Sequence, residues 1–378
     1  MLNGLDKFIR TFEKREIRFG LLTNHAALAQ SGNPAALELL QNGFSIQKIF
    51  SPEHGVSSQA EDGQKQLNGI DLFTQLPVIS LYGDKVAPDQ NDLSDIDILL
   101  IDLPNIGCRF YTYLWSLSYA LEACSKYSKE VIILDRPNQR SGNTQLAEGP
   151  LLDESCCSSF LGRWRMPLTH GFSYGQLAKW FNHERCLNLN LEVFSYEKGS
   201  LSFTVPPSPA LADQQSIWLY PFTGLFEGVN VSIGRGTSFP FRVIGAPWID
   251  PAKVHADFKA MAIPGVTAYP YVFKPMWSSH AGKFCNGLYF SVDDPDLFSP
   301  VTTGLLMLRY FGQHYEQLQP GTYPTIINPT GQQHLDFLLG IENSYRKICM
   351  EHKVSTETLS QHDKVSSWIK DVNSFLGL

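Results

Sequence analysis

Short apolar runs alternate with helical patterns along the first part of the chain. Five runs are typical of buried strands, at residues 17–23, 46–50, 77–81, 96–101 and 131–134. Between them, apolar spacings predict a helix that begins at Pro34 and another over residues 112–127. Strands that alternate with helices form βαβ crossovers and a parallel sheet covered on both faces. The pattern therefore predicts a Rossmann-like layer.

A capping-box spacing predicts a further helix, because Ser173 and Gln176 stand three positions apart ahead of apolar residues. A proline-rich connector follows at residues 206–209. The composition changes near this connector, and we place the domain boundary between residues 200 and 201. We expect a Rossmann-like N-terminal domain over residues 1–200 and a C-terminal domain over residues 201–378.

The C-terminal part has a different pattern. Gly, Pro and aromatic residues dominate up to Asp294, which predicts irregular β structure with long loops. Two helices are expected after it, and the clearer one carries Leu338, Ile341, Tyr345 and Ile348 at helical spacing. The expected fold class is α/β, with a parallel-sheet domain followed by a smaller α/β or α+β domain.

Composition narrows the class of protein. The 378 residues include 43% hydrophobic and 18% charged residues, which is typical of a soluble globular protein with a sizeable core. The net charge is 30 − 37 = −7 and the chain has no block of Lys or Arg. Nucleic-acid binding needs a basic surface, so no nucleic-acid partner is expected.

The seven cysteines predict neither a disulfide framework nor a zinc site, because their number is odd and no CxxC occurs. Reduced thiols in a cytoplasmic protein are expected. The N-terminal stretch has no apolar signal-peptide core, and no run of 18 apolar residues occurs. We therefore expect no membrane partner, and the sequence gives no oligomeric state.

Polar residues follow each of the five predicted strands. In strand order they are Asn24, then Glu53 and His54, then Tyr82, then Asp102 with Arg109, Tyr111 and Tyr113, and finally Asp135. The carboxyl ends of parallel strands meet at one edge of a sheet, where ligands bind. Polar groups there hydrogen-bond to each other or to a ligand, so this cluster is the candidate site.

Glu53 and His54 form the pair with the strongest catalytic signal. Glu53 lies in a tight Pro-x-x-Gly turn beside apolar strand residues, a place where a carboxyl can gain a raised pKa and transfer protons. The alternative is that Glu53 caps its turn or pairs with Arg109. A metal site of His25, His54, Asp102 and Asp135 has no ligand-motif spacing to support it, so no metal is expected.

Later segments add further candidates. Glu148 and Glu227 each stand beside Gly, where the backbone can approach a ligand. Arg235 lies between Gly234 and Gly236, and its guanidinium suits a carboxylate or sugar oxygens, although an ordinary turn is the alternative. The dinucleotide fingerprint, the Walker A motif and the GxSxG elbow do not occur, so no cofactor is expected.

Several longer segments resemble one known family. They are GLLTNHAAL, FSPEHGVSSQAEDGQ, DIDILLIDLPNIGCRFYTYLW and LYPFTGLFEGVNVSIGRGTSFPFRVIGAPWID. In this order they resemble the bacterial exo-β-N-acetylmuramidase family, long catalogued only as a domain of unknown function. The resemblance runs from about residue 15 to residue 312 and fades after it, where a helical tail remains.

The resemblance implies an active-site cleft between the two domains. It also implies a hydrolase that releases N-acetylmuramic acid from the non-reducing end of peptidoglycan fragments, in cell-wall recycling. The family's favoured acid/base is the Glu of its Pro-Glu-His-Gly motif, which maps onto Glu53. Its other motifs map onto residues expected to line the cleft: Arg109, Tyr111, Tyr113, Glu148, Glu227, Asn230, Ser232, Arg235 and Thr237.

Our mechanistic hypothesis makes Glu53 the proton donor to the glycosidic oxygen, with His54 placing it. The second carboxylate is Glu227, or failing that Glu148 or Asp102, and Arg235 or Arg109 binds the lactyl carboxylate of the sugar. Two alternatives stay open at this point. One is a non-catalytic carbohydrate-binding protein, and the other is a metal-dependent hydrolase.

Overall fold

The computed structural model describes residues 2–13, 16–57, 63–140, 142–197, 204–325, 328–351 and 361–378. The strands of its main sheet are β1 (Arg18–Thr23), β2 (Ser45–Ser51), β3 (Gly69–Ile70), β4 (Pro77–Ser80), β5 (Ile98–Asp102), β6 (Glu130–Leu134) and β7 (Leu191–Phe194). Their order in the sheet is β3-β4-β2-β1-β5-β6-β7. Neighbours pair in parallel except β3, which is antiparallel to β4. The five predicted strands and the Rossmann-like layer are confirmed.

Helices cover both faces of this sheet. They are α1 (Gly4–Thr11), α2 (Ala35–Gln41), α3 (Gln90–Leu93), α4 (Tyr113–Lys126), α5 (Glu154–Cys157) and α6 (Tyr174–Glu184). The predicted capping box at α6 is confirmed, because the Ser173 hydroxyl accepts from the Gln176 amide and the Gln176 side chain accepts from the Ser173 amide. The sequence did not predict α1, β3 or β7.

The central strands β1, β5 and β6 are buried on both faces, as their apolar sequences predict. In β5, Ile98 and Leu100 point to the core beneath α1 and α2, whereas Leu99 and Ile101 point to the core that contains α4 and α6. Successive side chains of a strand point to opposite faces, so one short apolar run serves both cores. The α4 core continues without a break into the C-terminal part of the chain.

The C-terminal part contains a second, antiparallel sheet in the order β8-β10-β9, where β8 is Val243–Ala246, β9 is Val266–Phe273 and β10 is Cys285–Val292. Its helices are α7 (Gln214–Thr223), α8 (Pro251–Ala260), α9 (Pro300–His314), α10 (His334–Leu339) and α11 (His362–Leu376). The irregular β region predicted before Asp294 therefore also contains α7 and α8. The two-part α/β fold class is confirmed.

The helix predicted through Leu338 and Ile348 is not continuous. It ends at Leu339 because Gly340 adopts a left-handed conformation (φ 72°) and packs so closely that a Cβ there would lie 2.8 Å from Leu152 Cα. A short π-helical turn at Arg346–Met350 then follows. The predicted domain boundary at residues 200 and 201 lies outside the described residues.

Two further observations concern the whole chain. All seven cysteines are free thiols. Within the described ranges, no helix is long and apolar enough to cross a lipid bilayer.

Candidate active site

A cavity of about 260 Å³ lies between the carboxyl-terminal edge of the main sheet and the C-terminal part of the chain. Glu53 and His54, which follow β2, and Tyr82, which follows β4, line one side. Glu227 and Arg235 line the other side. The remaining walls are largely aromatic, with Phe110, Tyr111, Phe160, Tyr220, Phe241, Tyr323 and Phe337. The predicted cluster at the sheet edge therefore faces residues from the second half of the chain.

Glu53 is held by hydrogen-bond donors on both carboxylate oxygens. The Thr112 hydroxyl group donates to Oε2 at 2.7 Å, and the Gly63 amide donates to Oε1 at 3.0 Å. The Tyr82 hydroxyl also donates to Glu53, and burial together with Glu53 raises the pKa of Tyr82 far above its usual value. Because α4 begins at Tyr113, the Glu53 carboxylate also lies at the positive end of a helix. These contacts fix the orientation of the Glu53 carboxyl group.

A sharp turn presents Glu53 to the cavity. His54 and Gly55 both have left-handed backbone conformations, with φ of 69° and 74°, and the Gly55 amide donates to the carbonyl of Pro52 at 3.1 Å. A left-handed histidine is uncommon, because its Cβ crowds the backbone. The turn after β2 is therefore built at some conformational cost, and it leaves Glu53 only 7% exposed.

Glu227 is the second buried carboxyl group of the cavity. It lies in a 3-10 turn (Gly224–Gly228) that follows α7, and Arg235 Nε donates to its Oε1 at 2.8 Å. Burial and the nearby charge of Glu53 raise the pKa of Glu227 to about 8. Two carboxyl groups thus share a cavity with a single guanidinium from the described residues, an arrangement that favours a proton on Glu227.

Arg235 is fixed by its neighbours. Gly234 and Gly236 have φ of 83° and 79°, and a Cβ on either would lie within 2.7 Å of another part of the chain. The guanidinium also lies over the ring of Phe241, 4.8 Å from its centre. These contacts place the guanidinium in the cavity beside Glu227. The turn at residues 234–236 therefore positions a charged group of the candidate site and is not only a chain reversal.

Several predicted site residues take supporting positions. The ring of Tyr111 lines the cavity, and its hydroxyl donates to the carbonyl of Pro207 at 3.1 Å. Tyr113 lies behind the turn and donates to the Glu53 carbonyl at 3.3 Å. Asn24 is buried behind Tyr113, and its amide donates to the Tyr113 oxygen and to Pro207. Tyr113 and Asn24 thus lie outside the cavity and hold the loops that form it.

Asp102 lies outside the cavity as well. It is fully buried at the end of β5 and forms a two-pronged ion pair with Arg136, in which Nε and Nη2 each face one carboxylate oxygen. Asp135 accepts from the Ser173 hydroxyl and the Gly175 amide, at 2.5 and 2.8 Å. Within the part of the chain that the structure describes, no group of three His, Cys, Asp or Glu side chains could hold a metal ion.

Arg109 is fully buried and donates to three carbonyl oxygens, those of Pro150, Met166 and Leu338, at 2.8 to 2.9 Å. The predicted pairing of Arg109 with Glu53 is therefore wrong, and so is its predicted role as the cation that binds the substrate. Its guanidinium group binds main-chain carbonyl groups outside the cavity instead. Glu148 is likewise occupied outside the cavity, where its carboxylate accepts from two backbone amides at the start of α9.

The remaining predicted residues stabilise loops. The Asn230 side chain bonds the main chain at residues 317 and 319. The hydroxyl groups of Ser232 and Thr237 bond the amide and the carbonyl of Gly234, at 3.3 and 2.6 Å. All three lie outside the cavity, and Ser232 and Thr237 shape the turn that carries Arg235.

Sequence reasoning missed several cavity residues, among them Thr112, Tyr220, Tyr323 and His334. Thr112 and Tyr220 each stand within a segment that was quoted for the family resemblance. Nothing in the local sequence marked Tyr323 or His334, because they reach the cavity from the loop before α10 and from α10 itself. Only the packing of the C-terminal part against the main sheet brings them to Glu53.

Two buried carboxyl groups in one aromatic-lined cavity, on an α/β fold, fit the active site of a glycoside hydrolase. The sequence models of the exo-β-N-acetylmuramidase NamZ family match the chain at residues 19–215 for the N-terminal domain and 218–377 for the C-terminal domain. The chain belongs to this family. The match extends through α11, so the resemblance does not fade at residue 312 as the sequence analysis expected.

Similar proteins are found among both curated and solved relatives. The peptidoglycan β-N-acetylmuramidase NamZ of Bacillus subtilis is 36% identical over 335 residues, which cover 85% of this chain and 80% of that protein. A crystal structure of a DUF1343 family protein from Bacteroides fragilis has a TM-score of 0.85 at 23% identity and covers 99% of this chain and 98% of its own. A second one has a TM-score of 0.72 at 26% identity, with 99% and 96% covered.

Proposed function

We propose that this chain is a glycosidase that releases N-acetylmuramic acid from the non-reducing ends of peptidoglycan fragments. The family and the name of the Bacillus subtilis relative support this reaction. The observation that carries the proposal is the shared cavity of Glu53 and Glu227. Its volume of about 260 Å³ is small for a ligand site, which suits a single terminal sugar and therefore exo action.

The different surroundings of Glu53 and Glu227 suggest different catalytic roles for the two carboxyl groups. Glu227 carries the proton in the resting enzyme and donates it to the glycosidic oxygen as the bond from the anomeric carbon breaks. Glu53, held by its hydrogen-bond donors, stabilises the positive charge that develops at that carbon. A water molecule then adds to the carbon and gives its proton to Glu227, which restores the resting enzyme. This assignment reverses the sequence-based hypothesis, in which Glu53 was the proton donor.

Arg235 is the cation proposed to face the lactyl carboxylate of muramic acid. Its guanidinium lines the cavity and lies next to Glu227, whereas Arg109 is directed at three carbonyl groups elsewhere. With Glu227 protonated, the charge of Arg235 favours an incoming anion. Guanidinium binds carboxylates in a planar, two-pronged geometry, which gives both affinity and orientation.

The decisive experiment is hydrolysis of a chromogenic β-N-acetylmuramide by Glu53→Gln and Glu227→Gln variants. General acid–base groups contribute about 10²–10⁴-fold, so each variant should lose kcat by at least about a hundredfold. Glu122→Gln is the matched control, because Glu122 pairs with Arg163 outside the cavity. Near wild-type turnover by the Glu53 variant would contradict the proposal.

We also propose that the enzyme acts in the cytoplasm, on fragments that have entered the cell. The seven free thiols support a reducing compartment, and the adjacent pair Cys156 and Cys157 has its sulfur atoms 3.4 Å apart without a bond. Cell fractionation followed by immunodetection tests this location. Recovery of the mature protein outside the cytoplasmic fraction would contradict it.

A further inference from the structure

His334 is a buried histidine in the wall of the cavity. It is the first residue of α10, lines the cavity, and is only 3% exposed. Its ring packs against that of Tyr323 at an angle of 31°, with centres 4.9 Å apart. Among the residues that the structure describes, neither Nδ1 nor Nε2 has a hydrogen-bond partner. The side chain therefore brings two hydrogen-bonding atoms to the site without using them in the fold.

Packing alone does not account for a histidine at this position. Burying a polar atom without a partner costs free energy, and a phenylalanine would fill the same space against Tyr323 without that cost. Buried polar atoms in proteins are paired in the great majority of cases. An unpaired pair of nitrogens beside two carboxyl groups and a guanidinium therefore indicates contact with a bound ligand.

The charges around His334 select the kind of ligand. Burial and the positive charge of Arg235 lower the pKa of His334 to about 4, so the ring is neutral near neutral pH. A neutral imidazole still has one N–H group to donate. Arg235 and His334 together thus offer a cation and a neighbouring donor, and a carboxylate can accept from both.

We propose that His334 is a specificity-determining residue, whose N–H group binds the lactyl carboxylate of N-acetylmuramic acid while Arg235 supplies the opposite charge. The inference rests on the proposed function and extends it, since the lactyl group is what distinguishes this sugar from N-acetylglucosamine. His334 recognises substrate in this role and takes no part in proton transfer to the glycosidic oxygen.

The test compares His334→Phe and His334→Gln with the wild-type chain. Isothermal titration measures Kd for free N-acetylmuramic acid and for N-acetylglucosamine, and steady-state kinetics on the chromogenic muramide give kcat and KM. His170→Gln is the matched control, because His170 is also buried with an unpaired Nε2 but lies outside the cavity.

We expect His334→Phe to weaken N-acetylmuramic acid binding and to raise KM by about tenfold, the value of one charge-assisted hydrogen bond, with kcat within about threefold. His334→Gln should lose less, and N-acetylglucosamine binding should change by less than about twofold in both variants. Melting temperature should rise by about 2 °C in His334→Phe, because the two buried polar atoms are gone.

Three results would overturn the inference: equal losses for both sugars, unchanged binding of N-acetylmuramic acid in His334→Phe, or a wild-type chain that does not prefer N-acetylmuramic acid. The proposed function fails by a different result. A wild-type chain that binds N-acetylmuramic acid selectively but does not hydrolyse the muramide is a binding protein, and the His334 comparison then still decides the inference.

Discussion

The hydroxyl group of Thr112 donates to Glu53 Oε2 at 2.7 Å and does not cap the helix that Thr112 begins. Threonine at this position normally accepts from a backbone amide of the first turn. Here the residue gives up that contact, and its hydroxyl orients a carboxylate at the helix N-terminus. The Thr112 hydroxyl group thus orients the Glu53 side chain, which is proposed to face the anomeric carbon, instead of capping α4.

Thr112→Val should therefore lower kcat more than it lowers stability. Valine keeps the shape and removes the donor, so we expect kcat on the chromogenic muramide to fall by about tenfold, the value of one hydrogen bond to a charged group, with KM within about twofold. Thr303→Val is the control, because Thr303 is also buried, in α9, and its hydroxyl group donates to the carbonyl of Ser299 away from the cavity. Equal kcat in the two variants would refute the role of Thr112.

The proton on Glu227 should be visible in the pH dependence of both activity and stability. With its pKa raised to about 8 by burial and by Glu53, Glu227 loses its proton as pH rises through that value. If Glu227 is the acid, kcat falls over the same range, and Glu227→Gln has no such alkaline limb.

The stability effect of Glu227 has a defined sign. The folded pKa lies above the ordinary value of 4.5, so the folded chain holds this proton more tightly than the unfolded chain. The contribution to the free energy of unfolding is full below about pH 4.5 and is lost as pH rises through about 8. Urea unfolding of wild type and Glu227→Gln should show the wild-type curve declining relative to the variant between these values. Parallel curves would contradict the protonated assignment.

Gly63 should prove sensitive to the smallest substitution. Its φ is +69°, and an added Cβ would lie 2.7 Å from Thr325 Cγ2, while its amide donates to Glu53. Gly63→Ala should cost about 1–2 kcal/mol of stability through backbone strain and also lower kcat by displacing that amide. Gly32→Ala is the matched control, because Gly32 has a similar φ of +89° and open space around it. That variant should lose stability and keep kcat.

Arg109→Met should destabilise the chain without altering substrate affinity. Three buried carbonyl groups lose their donor, and we expect about 2–4 kcal/mol less free energy of unfolding in urea. KM of the folded fraction should stay within about twofold. Arg10→Met, at an exposed arginine, should change neither quantity. A raised KM with unchanged stability would restore Arg109 as a substrate contact.

Local patterns predicted the main sheet well. The central strands β5 and β6 are nearly unbroken apolar runs because both of their faces are covered, and this signal needs no knowledge of the rest of the chain. Glu53 was found for the same reason, since it directly follows such a strand. The break at Gly340 was missed, because the apolar spacing of residues 338–348 continues across a glycine whose φ depends on contact with Leu152.

The two arginines show why the site was predicted only in part. Arg109 and Arg235 both stand in polar, loop-like sequence, and either suited a carboxylate ligand. What separates them is the tertiary environment, because one meets three carbonyl groups and the other meets Glu227. His334 carries no local signal at all, and its two nitrogens become informative only when its neighbours are known.

The three carbonyl groups bound by Arg109 come from distant stretches of the chain, at residues 150 and 166 on one side and residue 338 on the other. The two segments recognised as N- and C-terminal units are therefore not interchangeable modules. A truncated chain that ends near residue 215 would keep Arg109 and lose one of its three acceptors, the carbonyl group of Leu338. Chimeras between relatives should retain this junction as a unit, or the hybrid will lose stability.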